Sequence, residues 1–435
     1  MKKILHIAVH MGGGVGKAIS GLCISSQDEY DNAVVLLEMP SDYFYVNRIS
    51  KQGISVHIIP KAHQLEKLIH DADIVIVNWW GHPLMAKCLQ NFPKIPCRCI
   101  IWNHINGCSY PYLPADFLQC FAAVMFTTGY SYKNCLWSEY EHNTIKNISE
   151  VVYGMGNFIP ASIKPKEEYV CGDTFVVGYV GTIDYAKINR RFLDYYSALI
   201  DDIPEIKFCM LGHISDVIKQ EIIDRNLQKY FDLPGYVRRI DDYMRRFDVF
   251  AYLLAADNYA TTENALLEAM AYGLPIVVLN NNVEENIVQN DVSGYIVTTI
   301  DDFKQRIKYL RKEKNAARLG KSAREYVINE YSLKNNMNRY YTICANVIRE
   351  SKKIYDYTNI LGKDGFEAFM YFAQADGNKI YEAVNNNRSV DNINPIFYGE
   401  YKGSVYQYLH YYADDEKLQR MAAYLQNQGK GNIVT

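Results

Sequence analysis

The chain has 435 residues, 49% of them hydrophobic, and its 46 Lys and Arg against 49 Asp and Glu leave a formal net charge of −3. That length suits two domains and an appendage, and so balanced a charge carries no electrostatic footprint for nucleic acid. Ten cysteines without C-x-x-C pairs or histidine spacing fit reduced thiols, not a disulfide framework or a zinc site.

In chain order, the apolar run "ILHIAV" at 4–9 reads as a first buried strand, followed by "HMGGGVGKA" at 10–18. The apolar stretch stops at the glycines, too short for a signal-peptide core or a bilayer span, so a cytoplasmic chain is expected. The glycine loop is not a Walker A loop, because Met11 stands where the first glycine belongs and Ala18 where a magnesium-binding hydroxyl belongs. It is not a dinucleotide fingerprint either: from Gly12 the third glycine falls on Lys17, and from Gly14 it falls on Ile19. What remains is a strand, a tight turn and a helix starting near Gly16, either a plain βα turn or an anion-binding one.

Four further runs, "NAVVLLE", "SVHIIP", "ADIVIVN" and "CRCIIWN", read with "AAVMFTT" (122–128) as near-continuously apolar strands of a covered parallel sheet. The fourth ends in Asn103-His104, and a lone histidine at a strand end is either structural or part of a site; His10 is a weaker candidate of the same kind. The stretch 151–170, rich in Gly, Pro and charge, reads as a linker. A second series follows: "FVVGYVG", "IKFCMLG", "FDVFAYLL" and "PIVVLN". Each series reads as one doubly wound α/β domain, with ligands expected in a cleft at the strand C-termini.

The segment 257–297 reads loop, helix, tight turn, strand. Thr261 or Thr262 is expected to cap the helix "ENALLEAMAYG", with Glu263 in its first turn. Glu268, about 140° further round, falls between Leu267 and Ala269 on the expected buried side, where a carboxylate needs partners. After about residue 330 the pattern turns helical, and 355–435 carries 11 tyrosines. Tyr401, Tyr408, Tyr411 and Tyr412 with His410 precede the acidic turn Asp414, Asp415 and Glu416. These rings are read as the core of an all-α appendage or as sugar-stacking faces; the acids disfavour docking on anionic lipid.

"LLEAMAYGLPIVV" and "NDVSGYIV" resemble the donor-site signature of the retaining, GT-B-fold glycosyltransferases of family 4, which show E-x7-E followed by A-M-A-x-G-x-P-V-V. The resemblance spans roughly 1–350 and is specific within 175–297. It implies a GT-B architecture: a Rossmann-like acceptor-side domain over 1–155 and a nucleotide-sugar-binding domain over 170–330. A helix over 331–354 returns to the first domain, and the appendage occupies 355–435. By resemblance Glu268 binds the donor ribose. The first family glutamate falls on Ala260, with Glu263, Thr261, Thr262 and Asn264 as substitutes near the donor sugar. In "GYVGTIDYAKIN" Lys187 keeps the family's diphosphate lysine, while Thr182 stands at its arginine. Gly212 of "MLGH" and the backbone at Tyr236 and Val237 match the nucleobase side; Arg238, Arg239, Arg245 and Arg246 read as a solvated face. The amides of Gly13 and Gly14 face the diphosphate, and His104 lies near the transferring sugar or acceptor.

The implied activity is transfer of a sugar from a nucleotide-diphosphate donor to a hydroxyl of a growing glycan, a lipid-linked glycan or a protein, with retention. No metal or other cofactor is expected, since no D-x-D motif stands at a strand end. Peripheral contact with the inner face of the membrane or with a partner glycosyltransferase is a further expectation. The two departures, Ala260 and Thr182, leave open a non-catalytic subunit that binds acceptor or nucleotide sugar for another enzyme. Glu38, closing the second strand, keeps an NAD-dependent enzyme as a remote third reading.

Overall fold

A computed structural model describes every residue except 170–172, 257, 282, 387, 390–392, 394, 400, 401 and 433–435, so Tyr401 lies outside the described residues. The chain divides into two compact units, residues 1–157 with 336–435, and residues 158–335.

The first unit is built on seven strands: β1 (Lys2–Ala8), β2 (Tyr30–Leu36), β3 (Ser55–Ile58), β4 (Ile74–Trp79), β5 (Cys99–Asn103), β6 (Ala123–Phe126) and β7 (Ser149–Val151). Their order is β3-β2-β1-β4-β5-β6-β7, and every recorded pairing is parallel. The central strands are apolar without alternation because helices cover both faces; all six residues of β4 are buried. Strand order reverses between β1 and β4, so the loops leaving these two strands flank the position where doubly wound sheets bind ligands.

The helix after β1 starts at Gly13, not near Gly16 as the glycine run led one to expect, and Gly13 itself has a left-handed φ of 53°. Gly16 is needed for packing: a Cβ there would lie 2.5 Å from the Met11 carbonyl oxygen. The helix Leu333–Arg349 is bound to this unit by Asn336. Its Oδ1 accepts from the Tyr153 N–H at 2.7 Å, and its Nδ2 donates to the Tyr153 carbonyl at 3.1 Å.

The C-terminal helices Thr358–Leu361, Gly365–Asn386, Val405–Tyr411 and Glu416–Asn432 pack on the same unit. Phe372 sits 4.7 Å from the Trp79 ring and 5.1 Å from Phe117; Tyr357 lies 5.1 Å from Phe121. Gln90, on the helix Pro83–Gln90, donates to the carbonyls of Leu361 and Asp364 and accepts from the Tyr412 hydroxyl at 2.8 Å. The tyrosines thus serve as core rings, with Tyr408 buried 5.4 Å from Phe369, and they also join the appendage to the sheet. No helix among the described residues is long and apolar enough to cross a membrane.

The second unit holds six parallel strands, β8 (Phe175–Val180), β9 (Ile206–Leu211), β10 (Phe231–Gly235), β11 (Val249–Tyr252), β12 (Ile276–Leu279) and β13 (Tyr295–Val297). Their order is β10-β9-β8-β11-β12-β13, which reverses between β8 and β11.

Candidate functional site

In the second unit, polar groups converge at the strand C-termini on either side of this reversal. Beyond β8 and β9 the chain turns at Gly181 (φ 151°) and Gly212 (φ 145°). A Cβ on Gly212 would lie 1.9 Å from the Gly181 carbonyl oxygen, so only glycine permits this approach of two backbones. Thr182 follows, exposed, its carbonyl accepting from the Tyr179 hydroxyl at 2.9 Å. Beyond β10, Tyr236 is 68% exposed and stacks on His213 with centroids 5.9 Å apart and planes 8° apart; Val237 is half-buried. An exposed ring beside the glycine turns offers a flat apolar surface to a planar ligand.

Lys187 reaches the reversal point because its loop is fastened to the end of β11. The Ala255 N–H donates to the Lys187 carbonyl at 2.8 Å, and the Asn189 N–H to the Leu253 carbonyl at 2.9 Å. The Lys187 ammonium lies 3.3 Å from Glu263 Oε2 and 5.5 Å from the centre of the Tyr252 ring. The Tyr252 hydroxyl also donates to Glu263 Oε2. Burial, then the Glu263 charge, hold the Tyr252 phenol well above its ordinary range.

Glu263 corrects the reading of its helix. The helix runs Asn264–Ala271, and Glu263 occupies the N-cap position with φ 45° and ψ 62°, a left-handed conformation rare outside glycine and asparagine. Neither Thr261 nor Thr262 is the cap; Thr262 is buried ahead of it and Thr261 half-buried, and Asn264 is the first helical residue. The strained backbone aims the carboxylate back at Lys187 and Tyr252. Glu268 is half-buried rather than facing the core, and its charge is felt by the Tyr272 hydroxyl, which donates to Asp241. Lys187 and Glu263 are therefore brought together, whereas Glu268 stands apart on the same helix.

In this unit Glu284 escaped the sequence reading, as His82 did in the first. Glu284, in "NNNVEENIV" just past β12, is fully buried, and neither carboxyl oxygen has a hydrogen-bond partner. Burial, reinforced by the charge of nearby Glu263, pushes its carboxyl up to about 8. The only signal in sequence was an acid shortly after a strand-ending asparagine run, with Val283 between them.

In the first unit a second polar cluster surrounds the reversal between β1 and β4. Gly13 and Gly14 are exposed at a helix N-terminus, where unpaired amides point outward. His10 Nδ1 accepts from the Gly12 N–H at 3.1 Å, and His82 Nδ1 accepts from the Leu84 N–H at 3.2 Å. His104 Nε2 meets Asn78 Oδ1 at 3.1 Å, while Asn78 Nδ2 donates to the Ile7 carbonyl at 3.1 Å. These bonds fix the tautomers: His10 and His82 carry the proton on Nε2, and His104 keeps a bare Nδ1. Burial pushes His82 and His104 down to about 3 and lowers His10 as well, with the Lys402 ammonium adding to all three shifts. Among the described residues, no group of three or more His, Cys, Asp or Glu is arranged to hold a metal ion.

Residues 174–313 match the family model described as Glycosyl transferases group 1. A curated relative, the UDP-Gal:alpha-D-GlcNAc-diphosphoundecaprenol alpha-1,3-galactosyltransferase of Escherichia coli, is 25% identical over 168 residues, 37% of this chain and 43% of that protein. The chain thus matches less than half the length of that relative. Among solved structures, a glycosyltransferase from Rickettsia africae superposes with a TM-score of 0.62 at 15% identity, covering 80% of this chain and 99% of that one. Anabaena HepE in complex with UDP gives 0.63 at 14% identity over 80% and 100% of the two chains. TarM gives 0.62 at 14% over 80% and 99%. At such identities the likeness speaks for architecture alone: two parallel-sheet Rossmann-like units with a helical C-terminal region, the GT-B fold.

Proposed function

We propose that the chain transfers a sugar from a uridine diphosphate sugar to a hydroxyl of a glycan or lipid-linked glycan, with retention of configuration and without a metal. The observation that carries this reading is the Lys187–Glu263 pair at the β8–β11 reversal, inside the segment that matches the glycosyl transferase model. HepE was solved with UDP and with UDP-glucose, and the E. coli relative is named for UDP-galactose and a diphosphoundecaprenol acceptor; both support uridine as the base.

In this reading Lys187 balances the charge that develops on the diphosphate as the sugar C1–O bond breaks. Glu263, held where the family's first glutamate is missing, accepts hydrogen bonds from sugar hydroxyls. Glu268 takes the ribose, and the backbone at Gly181, Thr182 and Gly212 lies against phosphate and base. Tyr236 and Val237 border the base. On the first unit, the Gly13 and Gly14 amides suit an anion, and His104 positions a hydroxyl. An imidazole held near 3 is a weak base at neutral pH, so the acceptor proton goes to the departing phosphate oxygen as the new C1–O bond forms on the same face.

The test is incubation of the purified chain with UDP-glucose, UDP-galactose and UDP-N-acetylglucosamine in chelator, following UDP release. Release above the no-enzyme rate, with an α-linked product by proton NMR when a hydroxyl acceptor is present, is the expected result. The substitution of Ala260 and Thr182 for two charged family residues favours a second reading, a non-catalytic subunit. UDP binding without any release would select it.

A further inference from the structure

The appendage does more than cover the first unit. The Tyr411 ring, at the end of the helix Val405–Tyr411, stands 5.1 Å from the His82 ring, and its hydroxyl donates to Glu38 Oε2 at 2.8 Å. Lys87 Nζ holds it there by donating to the Tyr411 carbonyl at 2.7 Å. His82 in turn lies 6.3 Å from His10 and 6.0 Å from Trp80, and Trp80 lies 6.4 Å from His104. Residues from the loops after β1, β2, β4 and β5 and from the appendage therefore form one continuous cluster.

The hydrogen-bond chemistry of this cluster is specific. With Nδ1 of His10 and His82 engaged by backbone N–H groups, each presents an Nε2–H donor. His104 presents an Nδ1 acceptor, the Tyr411 oxygen retains a lone pair, and Glu38 retains acceptor capacity. The imidazoles are uncharged at neutral pH, so they suit neutral hydroxyls, each of which donates once and accepts twice. We propose that the C-terminal appendage completes the acceptor site of the first unit, and that His10, His82, His104, Glu38 and Tyr411 together bind a sugar ring through its hydroxyls. This rests on the glycosyl-transfer reading and names what that reading leaves open, the class of acceptor and the part of the chain that selects it.

The test uses the full chain and saturation-transfer NMR titrations with p-nitrophenyl α- and β-glycosides of glucose, galactose, N-acetylglucosamine and N-acetylgalactosamine. Two variants leave the fold in place. Tyr411→Phe keeps the ring and removes the hydroxyl. His82→Asn keeps a side-chain cap on the helix Pro83–Gln90 and removes the Nε2–H donor. At least one glycoside is expected to bind, and each variant is expected to weaken it roughly three- to tenfold, the range of one lost hydrogen bond. UDP affinity in the same samples is expected to stay unchanged. If no glycoside binds, or if those that bind are indifferent to both variants, the proposal is overturned. Glycoside binding weakened by both variants supports it even where UDP fails to bind, an outcome that removes only the donor reading.

Discussion

Glu263 and Lys187 are 76 residues apart in sequence, yet the carboxylate Oε2 and the ammonium meet at 3.3 Å, with the acid 8% and the lysine 33% exposed. The two charges neutralise each other across this contact. On the proposed function, a diphosphate competing for the ammonium would leave Glu263 to the sugar hydroxyls, linking phosphate and sugar recognition through this one contact.

Lys187→Ala should therefore weaken UDP far more than uridine. A charge-assisted contact contributes about 1.5–3 kcal/mol, or roughly ten- to a hundredfold in affinity. Isothermal titration with both ligands checks this. An equal loss for the two would mean that Lys187 only braces the loop.

Glu268→Ala should weaken UDP by roughly tenfold or more without a matching loss of stability, because the side chain is half-buried and lies outside the Lys187–Glu263–Tyr252 cluster. Glu263→Ala should lower stability as well, since it leaves a left-handed alanine and strips the buried Tyr252 hydroxyl of its acceptor. Titration and thermal melts on both variants separate the two effects. Unchanged UDP affinity in Glu268→Ala would remove the ribose assignment.

Why the strands were legible in the sequence and Glu284 was not has a physical reason. The strands announce themselves because apolar residues such as those of β4 must be buried on both faces, and a motif preserves spacing along one loop or helix. Glu284 matters through its proximity to Glu263, which no local pattern encodes. The helix cap was misread for a related reason: Thr261 and Thr262 have good capping propensity, but the ion pair with Lys187 and the bond from Tyr252 hold Glu263 in the cap position instead. His10, His82 and Tyr411 likewise converge only once β1, β4 and the appendage are folded.

Glu284 makes a pH-dependent prediction. Its carboxyl titrates at 4.5 in the unfolded chain and at about 8 in the folded one. Below 4.5 both states are protonated and no penalty exists. As pH rises toward 8 the unfolded state loses the proton first, which costs about 3 kcal/mol of stability at pH 7. Glu284→Gln should raise the thermal midpoint at pH 7–8 and leave it nearly unchanged at pH 4. Equal midpoints at both would show that the carboxyl finds a partner in solution.

His6 acts in the opposite direction. It is fully buried on β1, neither ring nitrogen has a partner, and burial holds it near 3 against 6.5 when unfolded. Above pH 6.5 both states are neutral; as pH falls below it the unfolded chain gains a proton that the folded chain refuses. The cost is about 2 kcal/mol at pH 5. His6→Leu should flatten the loss of stability between pH 6.5 and 5, measured by urea unfolding. A parallel slope in the variant would assign acid lability to other groups.

The appendage gives the last prediction. From 355 onward it reads in sequence as a separate small helical region. Its rings, however, cover Trp79, Phe92, Phe117 and Phe121, through Phe372 at 4.7 and 5.1 Å from the first and third and Tyr357 at 5.5 and 5.1 Å from the second and fourth. Burying one large aromatic side chain contributes about 1.5–3 kcal/mol, so exposing several rings at once approaches the whole stability of a domain. A chain ending at residue 352 should therefore lose the cooperative unfolding of the first unit. The second unit, residues 158–335, has no part in those contacts and should still unfold cooperatively and bind UDP. Scanning calorimetry with and without UDP distinguishes the two units, because only the UDP-binding transition moves upward with ligand. Survival of both transitions in the shortened chain would show that the appendage is not part of the folding unit on which it sits.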